Sequence, residues 1–163
     1  MSAGQTLITF LPLHGEPITS NYATLNMRNN RPVLNFDDTT NESIMFSGVF
    51  PQCYGGGGVT AYIHYSMASS CSSGDVDWDV AFERVGTSES LDADGFAAAQ
   101  SADNNVIPDF GNLAVASIDF EDGAEMDNVA VGEVFRVKLT RDATNDTATG
   151  DAEFYALEIR EQS

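Results

Sequence analysis

Asp75, Asp77 and Asp79 alternate with Val76, Trp78 and Val80 in the run GDVDWDVAFERV, residues 74–85. Three carboxylates at regular spacing could hold a metal ion or do acid–base work. Residues i and i+2 share one face of a strand, about 6.6–6.8 Å apart. Calcium holds its oxygens about 2.3–2.6 Å away, so two oxygens on one ion are no more than about 5 Å apart. A row of three on a strand therefore cannot surround an ion. The apolar partners Val76, Trp78, Val80 and Phe82 account for the alternation without a site. The spacing predicts a strand with Trp78 on the dry face and the carboxylates on a wetted one.

Loops can wrap an ion where a strand cannot. DATNDTATGD (142–151) offers Asp142, Asn145, Asp146 and Asp151, and DGAEMD (122–127) offers Asp122, Glu125 and Asp127. Neither matches the calcium-loop pattern with its closing Glu, and turn chemistry explains both. No metal site and no cofactor are expected. YGGGGV (54–59) lacks the Lys-Ser/Thr of a phosphate loop and precedes a strand, not a helix. The histidines are His14 and His64, and no G-x-S-x-G elbow is present. No nucleophile–base arrangement stands out, and acids are too abundant to single out a hydrolytic pair. The chain does not read as an enzyme.

These residues need elements to hold them. Period-2 alternation predicts strands over 6–11, 23–28, 32–36, 42–50, 58–67, 76–85, 113–120, 133–141 and 153–161. Only ADGFAAAQSA (93–102) reads as a helix. Short strands at short intervals, without alternating helices, give an all-β antiparallel sandwich or barrel, with residues 1–163 as one domain. In 133–141, Phe135, Val137 and Leu139 face the core. In 153–159, Tyr155, Leu157 and Ile159 do so. Arg136, Lys138, Arg141 and Arg160 would lie in a C-terminal hairpin, near which the acidic strand 75–83 is expected to sit.

Charge narrows the partners. Asp and Glu number 25 against 7 Lys and Arg, a net charge of −18. This disfavours nucleic acid, whose phosphates need clustered basic residues, and anionic membrane surfaces. MSAGQTLITFLPLHGEP has no basic n-region and too short an apolar run for a span, so a cytosolic start is expected. Cys53 and Cys71 flank the predicted strand 59–67. Nine extended residues cover about 30 Å, whereas bridged Cα atoms lie about 4.4–6.8 Å apart. Both are expected to be free thiols.

Four runs carry a resemblance: NYATLNMRNNRPVLNFDD, FSGVFPQCYGGGGVTAYIHYSMASS, GDVDWDVAFERV and GEVFRVKLTRDATND. Together they resemble small structural proteins of tailed bacteriophages, over most of residues 20–160. The resemblance implies a jelly-roll-like sandwich and a non-catalytic virion component made in the bacterial cytosol. The role it implies first is a capsid decoration (cement) protein, a homo-oligomer and commonly a trimer, that binds and reinforces the major capsid protein. Leu7, Phe10, Tyr54, Gly56, Gly57, Ile107 and Phe110 would be the subunit or capsid contacts. The alternative is a tail or fibre component or a glycan-binding receptor-recognition module. That module would stack sugars on Trp78, Tyr62 or Tyr65, with Asp or Asn reaching hydroxyls. The strand face of Trp78 already favours core over platform.

Overall fold

The computed structural model describes residues 4–68 and 73–162. All nine strands expected from alternation form, each within one residue at either end. They are β1 (Thr6–Phe10), β3 (Thr24–Arg28), β4 (Arg31–Phe36), β5 (Glu42–Val49), β6 (Val59–Met67), β7 (Asp75–Val85), β9 (Ala114–Phe120), β10 (Val134–Arg141) and β11 (Ala152–Glu161). Two more join them, β2 (Glu16–Pro17) and β8 (Gln100–Val106). Single 3-10 turns occupy Pro12–His14 and Ala124–Met126.

The strands form two antiparallel sheets. One has the order β3-β4-β11-β6-β9, with β1 also paired to β11; the other has the order β2-β5-β10-β7-β8. From β4 onward the chain mostly crosses between the sheets, which is the jelly-roll arrangement. Inward residues of both sheets make one core. Phe36 and Tyr65 pack edge-on against Trp78, with centroids 5.1 and 5.4 Å away. Phe10 stacks on Phe46 at 5.2 Å. Trp78 and Tyr65 are both buried, so two of the three expected sugar platforms are structural.

Four expectations change. Residues 93–102 form no helix. Ala97 donates its N–H to Phe82 O at 2.8 Å, and Gln100–Val106 pairs along the free edge of β7. Sheet pairing overrides the helical propensity of the alanines. Secondly, β10 and β11 are not a hairpin, because the loop 142–151 carries the chain from one sheet to the other. Thirdly, a bulge between Phe154 and Ala156 shifts the register of β11. Phe154 turns inward and Tyr155 is left half-buried.

The fourth change concerns the aspartate row. As expected, β7 pairs with β10, but Glu83 rather than an aspartate meets Arg136, at 2.5 Å. Asp77 and Asp79 do not belong to a wet face, while Asp75 is half-buried at the start of the strand. Asp77 is buried and accepts the Asn104 N–H at 2.6 Å, and half-buried Asp79 accepts from Ser101 Oγ at 2.5 Å. Both donors belong to β8, the strand the sequence hid. Burial pushes both carboxyls above their ordinary values.

Candidate ligand-binding site

The outer face of the six-stranded sheet gathers the chemistry. In β6, Ala61, Ile63 and Tyr65 turn into the core and leave Tyr62 and His64 on the other side. In β11, Leu157 and Ile159 are buried and Glu158 and Arg160 face out. In β9, Ala116, Ile118 and Phe120 are buried and Ser117 and Asp119 face out. Strand register then sets cross-strand rows. Asp119, Thr60, Arg160 and Thr6 form one row, and Ser117, Tyr62 and Glu158 the next.

Within these rows the side chains are fixed to one another. The Arg160 guanidinium lies over the Tyr62 ring, 4.2 Å from its centroid. It also pairs with Glu158 at 2.8 Å, and the Thr6 hydroxyl donates to the same carboxylate. The Arg160 hydrogen bond holds the Glu158 carboxyl below the usual range, so the pair stays ionised. Thr60 Oγ donates to Asp119 Oδ1 at 2.6 Å. His64 Nε2 lies 3.9 Å from Glu158.

An open groove of about 470 Å³ runs beside this platform, lined by Gly4, Thr60, Tyr62, Asp119, Arg160, Glu161 and Gln162. Glu161 is 6% exposed. Its Oε1 accepts the Gly55 N–H at 2.6 Å, and its Oε2 has no hydrogen-bond partner among the described residues. The glycine loop is pinned alongside. Tyr54 donates its hydroxyl to Asp122 at 2.7 Å and accepts the Gly58 N–H at 2.8 Å. Burial, aided by Asp122, pushes the Tyr54 hydroxyl far above its ordinary value, so it remains a donor. Gly58 has φ +87°, and a Cβ there would stand 2.5 Å from Phe120 O.

The expected contact residues scatter. Phe10 is core, packed on Phe46 and Phe135, and offers no surface. Leu7, Tyr54 and Ile107 are half-buried against the core. Gly56 and Gly57 are exposed in the loop beside the groove. Phe110 is exposed in a separate apolar stretch with Val106, Leu113 and Val115. Cys53 is an exposed free thiol, as expected, and Cys71 lies outside the described residues. Strand reading singled out Tyr62 but missed Arg160, Glu158 and Asp119. Their outward positions were readable, but not which strands would become neighbours.

The loop acids mostly serve the chain itself. Asp146 pairs with buried Arg141 at 2.8 Å. Asp142 accepts from Asn41 and Asn145, Asp127 from Arg84 N–H, and Glu125 from Glu121 N–H. Among the described residues, Asp37, Asp38 and Asp151 form the one three-acid group with oxygens within 4.8 Å of one another. Asp37 accepts from Thr39 and Thr40, and Asp38 from Gly150 N–H. The group therefore acts as a clasp between two loops.

The opposite sheet presents a more closed face. Phe96, in the loop before β8, covers Arg136 at 5.4 Å and Lys138 at 4.9 Å from its ring centroid. Arg136 is further held by Glu83.

No family model matches the chain, and no curated protein does. Solved structures do share its fold. The CBM22-1 xylan-binding domain of Paenibacillus barcinonensis Xyn10C is 12% identical with a TM-score of 0.53, over 100% of this chain and 99% of that one. The CBM22-1–GH10 modules of Clostridium thermocellum xylanase 10B, complexed with xylohexaose, are 12% identical with a TM-score of 0.54. That match covers 100% of this chain and 29% of the xylanase chain. The similarity defines the class of architecture, a β-sandwich of the kind found in carbohydrate-binding modules.

Proposed function

We propose that this protein is a saccharide-binding module that holds its ligand without cleaving it. One observation carries the reading. A half-exposed tyrosine, Tyr62, stacked by Arg160, is edged by Asp119, Thr60 and Glu158 beside an open groove. A ring for the apolar face of a sugar, with carboxylates and hydroxyls for its OH groups, is what carbohydrate recognition needs. The platform sits on three sheet strands, which pre-organises it and lowers the entropy lost on binding. The fold supports the reading, since a xylan-binding domain shares it along its whole length.

Isothermal titration against a panel of neutral, basic and acidic oligosaccharides tests it. Binding by the wild type, weakened by Tyr62→Ala, is the expected result. Failure of every oligosaccharide to bind would end this reading.

A second reading is a phage capsid decoration protein bound to the major capsid protein. The phage-like runs support it, together with the exposed apolar stretch of Val106, Phe110, Leu113 and Val115. Such a stretch fits burial against a partner surface. The two readings meet in a receptor-recognition module displayed on a virion. Incubation with capsids lacking the protein and, separately, with host cells distinguishes them. Capsid attachment without cell binding favours decoration, and the reverse favours receptor recognition.

A further inference from the structure

We infer that β3 is a self-association edge: two copies of this chain pair antiparallel through Thr24–Arg28, about a two-fold axis at Asn26. The inference stands apart from the saccharide reading, whose groove lies on other strands.

β3 ends its sheet and pairs with β4 alone. Asn29 and Asn30 have φ 48° and 62°, the type I′ turn of a two-residue hairpin. In such a hairpin Arg28 and Arg31 exchange hydrogen bonds, and bonded and non-bonded pairs alternate from there. The N–H and C=O of Leu25 and Met27 therefore point away from β4, where no strand meets them. Their side chains share the inner face of the sheet with core-facing Leu34, the register partner of Leu25. The facing sheet ends in the two-residue β2, and Leu25 and Met27 stay 58% and 59% exposed. An apolar groove of about 300 Å³ opens beside them, lined by Pro12, Leu13, Pro17, Tyr22, Leu34 and Ile44. Exposed apolar side chains along an unpaired edge are covered well by an added strand.

Charge and register name a second copy as that strand. Residues 17–36 hold two arginines and no Asp or Glu, in a chain of net charge −18. Two such chains repel over most of their surfaces, but along β3 they meet without opposed carboxylates. The strand is also self-complementary. About an axis at Asn26, Leu25 faces the partner's Met27 as a hydrogen-bonded pair on both sides of the axis, which closes a two-fold interface. The strands at the other sheet ends are obstructed. β2 contains Pro17, β8 is broken by a bulge with Asn104 at φ 59°, and β9 lies against β8. In the single chain the Asn26 side chain accepts the Met27 N–H at 2.8 Å. Pairing displaces it, which keeps the association moderate.

Sedimentation velocity of the full chain over a concentration series should show monomer and dimer exchanging in the micromolar range, with the dimer favoured as salt screens the net charge. Met27→Lys puts a charge on the edge and should weaken the dimer at least about tenfold, with an unchanged thermal melt. Leu25→Lys is the second variant and should do the same. Asn26→Thr frees the Met27 N–H and should tighten the dimer. Val115→Lys, exposed on β9, should leave it intact. A disulfide trap reads the register. In a Cys53→Ser/Cys71→Ser background, Asn26→Cys should cross-link two chains on oxidation, because directly opposed residues of a non-hydrogen-bonded pair have Cα atoms about 4.5 Å apart. Thr24→Cys would lie about 13 Å from its own mate and should not cross-link. A chain that stays monomeric at every concentration overturns the inference. So does a dimer that survives both lysine variants of β3, or one lost in Val115→Lys. None of these outcomes bears on oligosaccharide binding, which is titrated separately.

Discussion

Arg160 and Tyr62 sit on adjacent strands, two residues out of register, with the guanidinium 4.2 Å from the ring centroid. The stack holds two flexible side chains in fixed positions against each other. Glu158 and Thr6 hold it from the side. The platform is therefore present before any ligand arrives.

Tyr62→Ala should weaken oligosaccharide binding by about tenfold or more, the scale of aromatic stacking. Tyr62→Phe keeps the ring and should stay within about threefold of wild type. Because Tyr62 is half-exposed, both variants should melt close to the wild type in a thermal scan.

Trp78→Ala should behave oppositely. The indole is fully buried between Phe36 and Tyr65. Its loss should cost about 3–5 kcal/mol of stability in denaturant titration. Binding per folded molecule should not change, since Trp78 touches no part of the groove.

Arg141 is completely buried at the end of β10 and anchors the 142–151 loop. It donates to Asp146 and to the carbonyls of Phe36, Ala148 and Gly150. Arg141→Ala strands the Asp146 carboxylate and should cost about 3–5 kcal/mol. Replacing Asp146 as well should recover only the part due to the stranded carboxylate, as a double-mutant cycle would report, because the Phe36, Ala148 and Gly150 carbonyls still lose their donor.

Gly58→Ala forces a side chain into φ +87° and against Phe120 O. About 1–3 kcal/mol of destabilisation is expected. Gly56 also has positive φ but open space around it, so Gly56→Ala should cost less. Paired thermal melts would show the difference.

Two sets of carboxyls give opposite pH dependences. Glu42, Asp77, Asp79 and Asp151 are raised, chiefly by burial. Their charged forms oppose folding, so stability should rise as pH falls through their folded values. Asp37, Asp142, Glu133 and Glu158 are lowered, chiefly by side-chain hydrogen bonds. They stabilise the fold above their unfolded values, near about 4, and lose that effect as pH falls through their lower folded values. Melting temperature should therefore peak at mildly acidic pH. Asp151→Asn should raise it at neutral pH and leave it nearly unchanged at the peak.

Strands such as β6 and β10 were legible because one face is buried and the alternation is strict. The stretch 93–102 was not, because its Phe-Ala-Ala-Ala run favours a helix locally. Only the free edge of β7, supplied from elsewhere in the chain, makes Gln100–Val106 a strand. The inward turn of Phe154 was hidden for a similar reason, since a one-residue bulge leaves no mark in composition. The site shows the same division. Tyr62 could be read as outward from its own strand. Its neighbours Arg160 and Asp119 come from β11 and β9, and register alone brings them together.

The placement of β11 has a kinetic consequence. It lies between β6 on one side and β4 and β1 on the other, and its pairing with β1 joins residues from opposite ends of the described chain. Until β11 is made, the strands that flank it have open backbone edges and an uncovered apolar face. Such long-range closure is slow and leaves partly folded chains prone to sticking together. During synthesis this sandwich would keep those edges open until β11 has emerged.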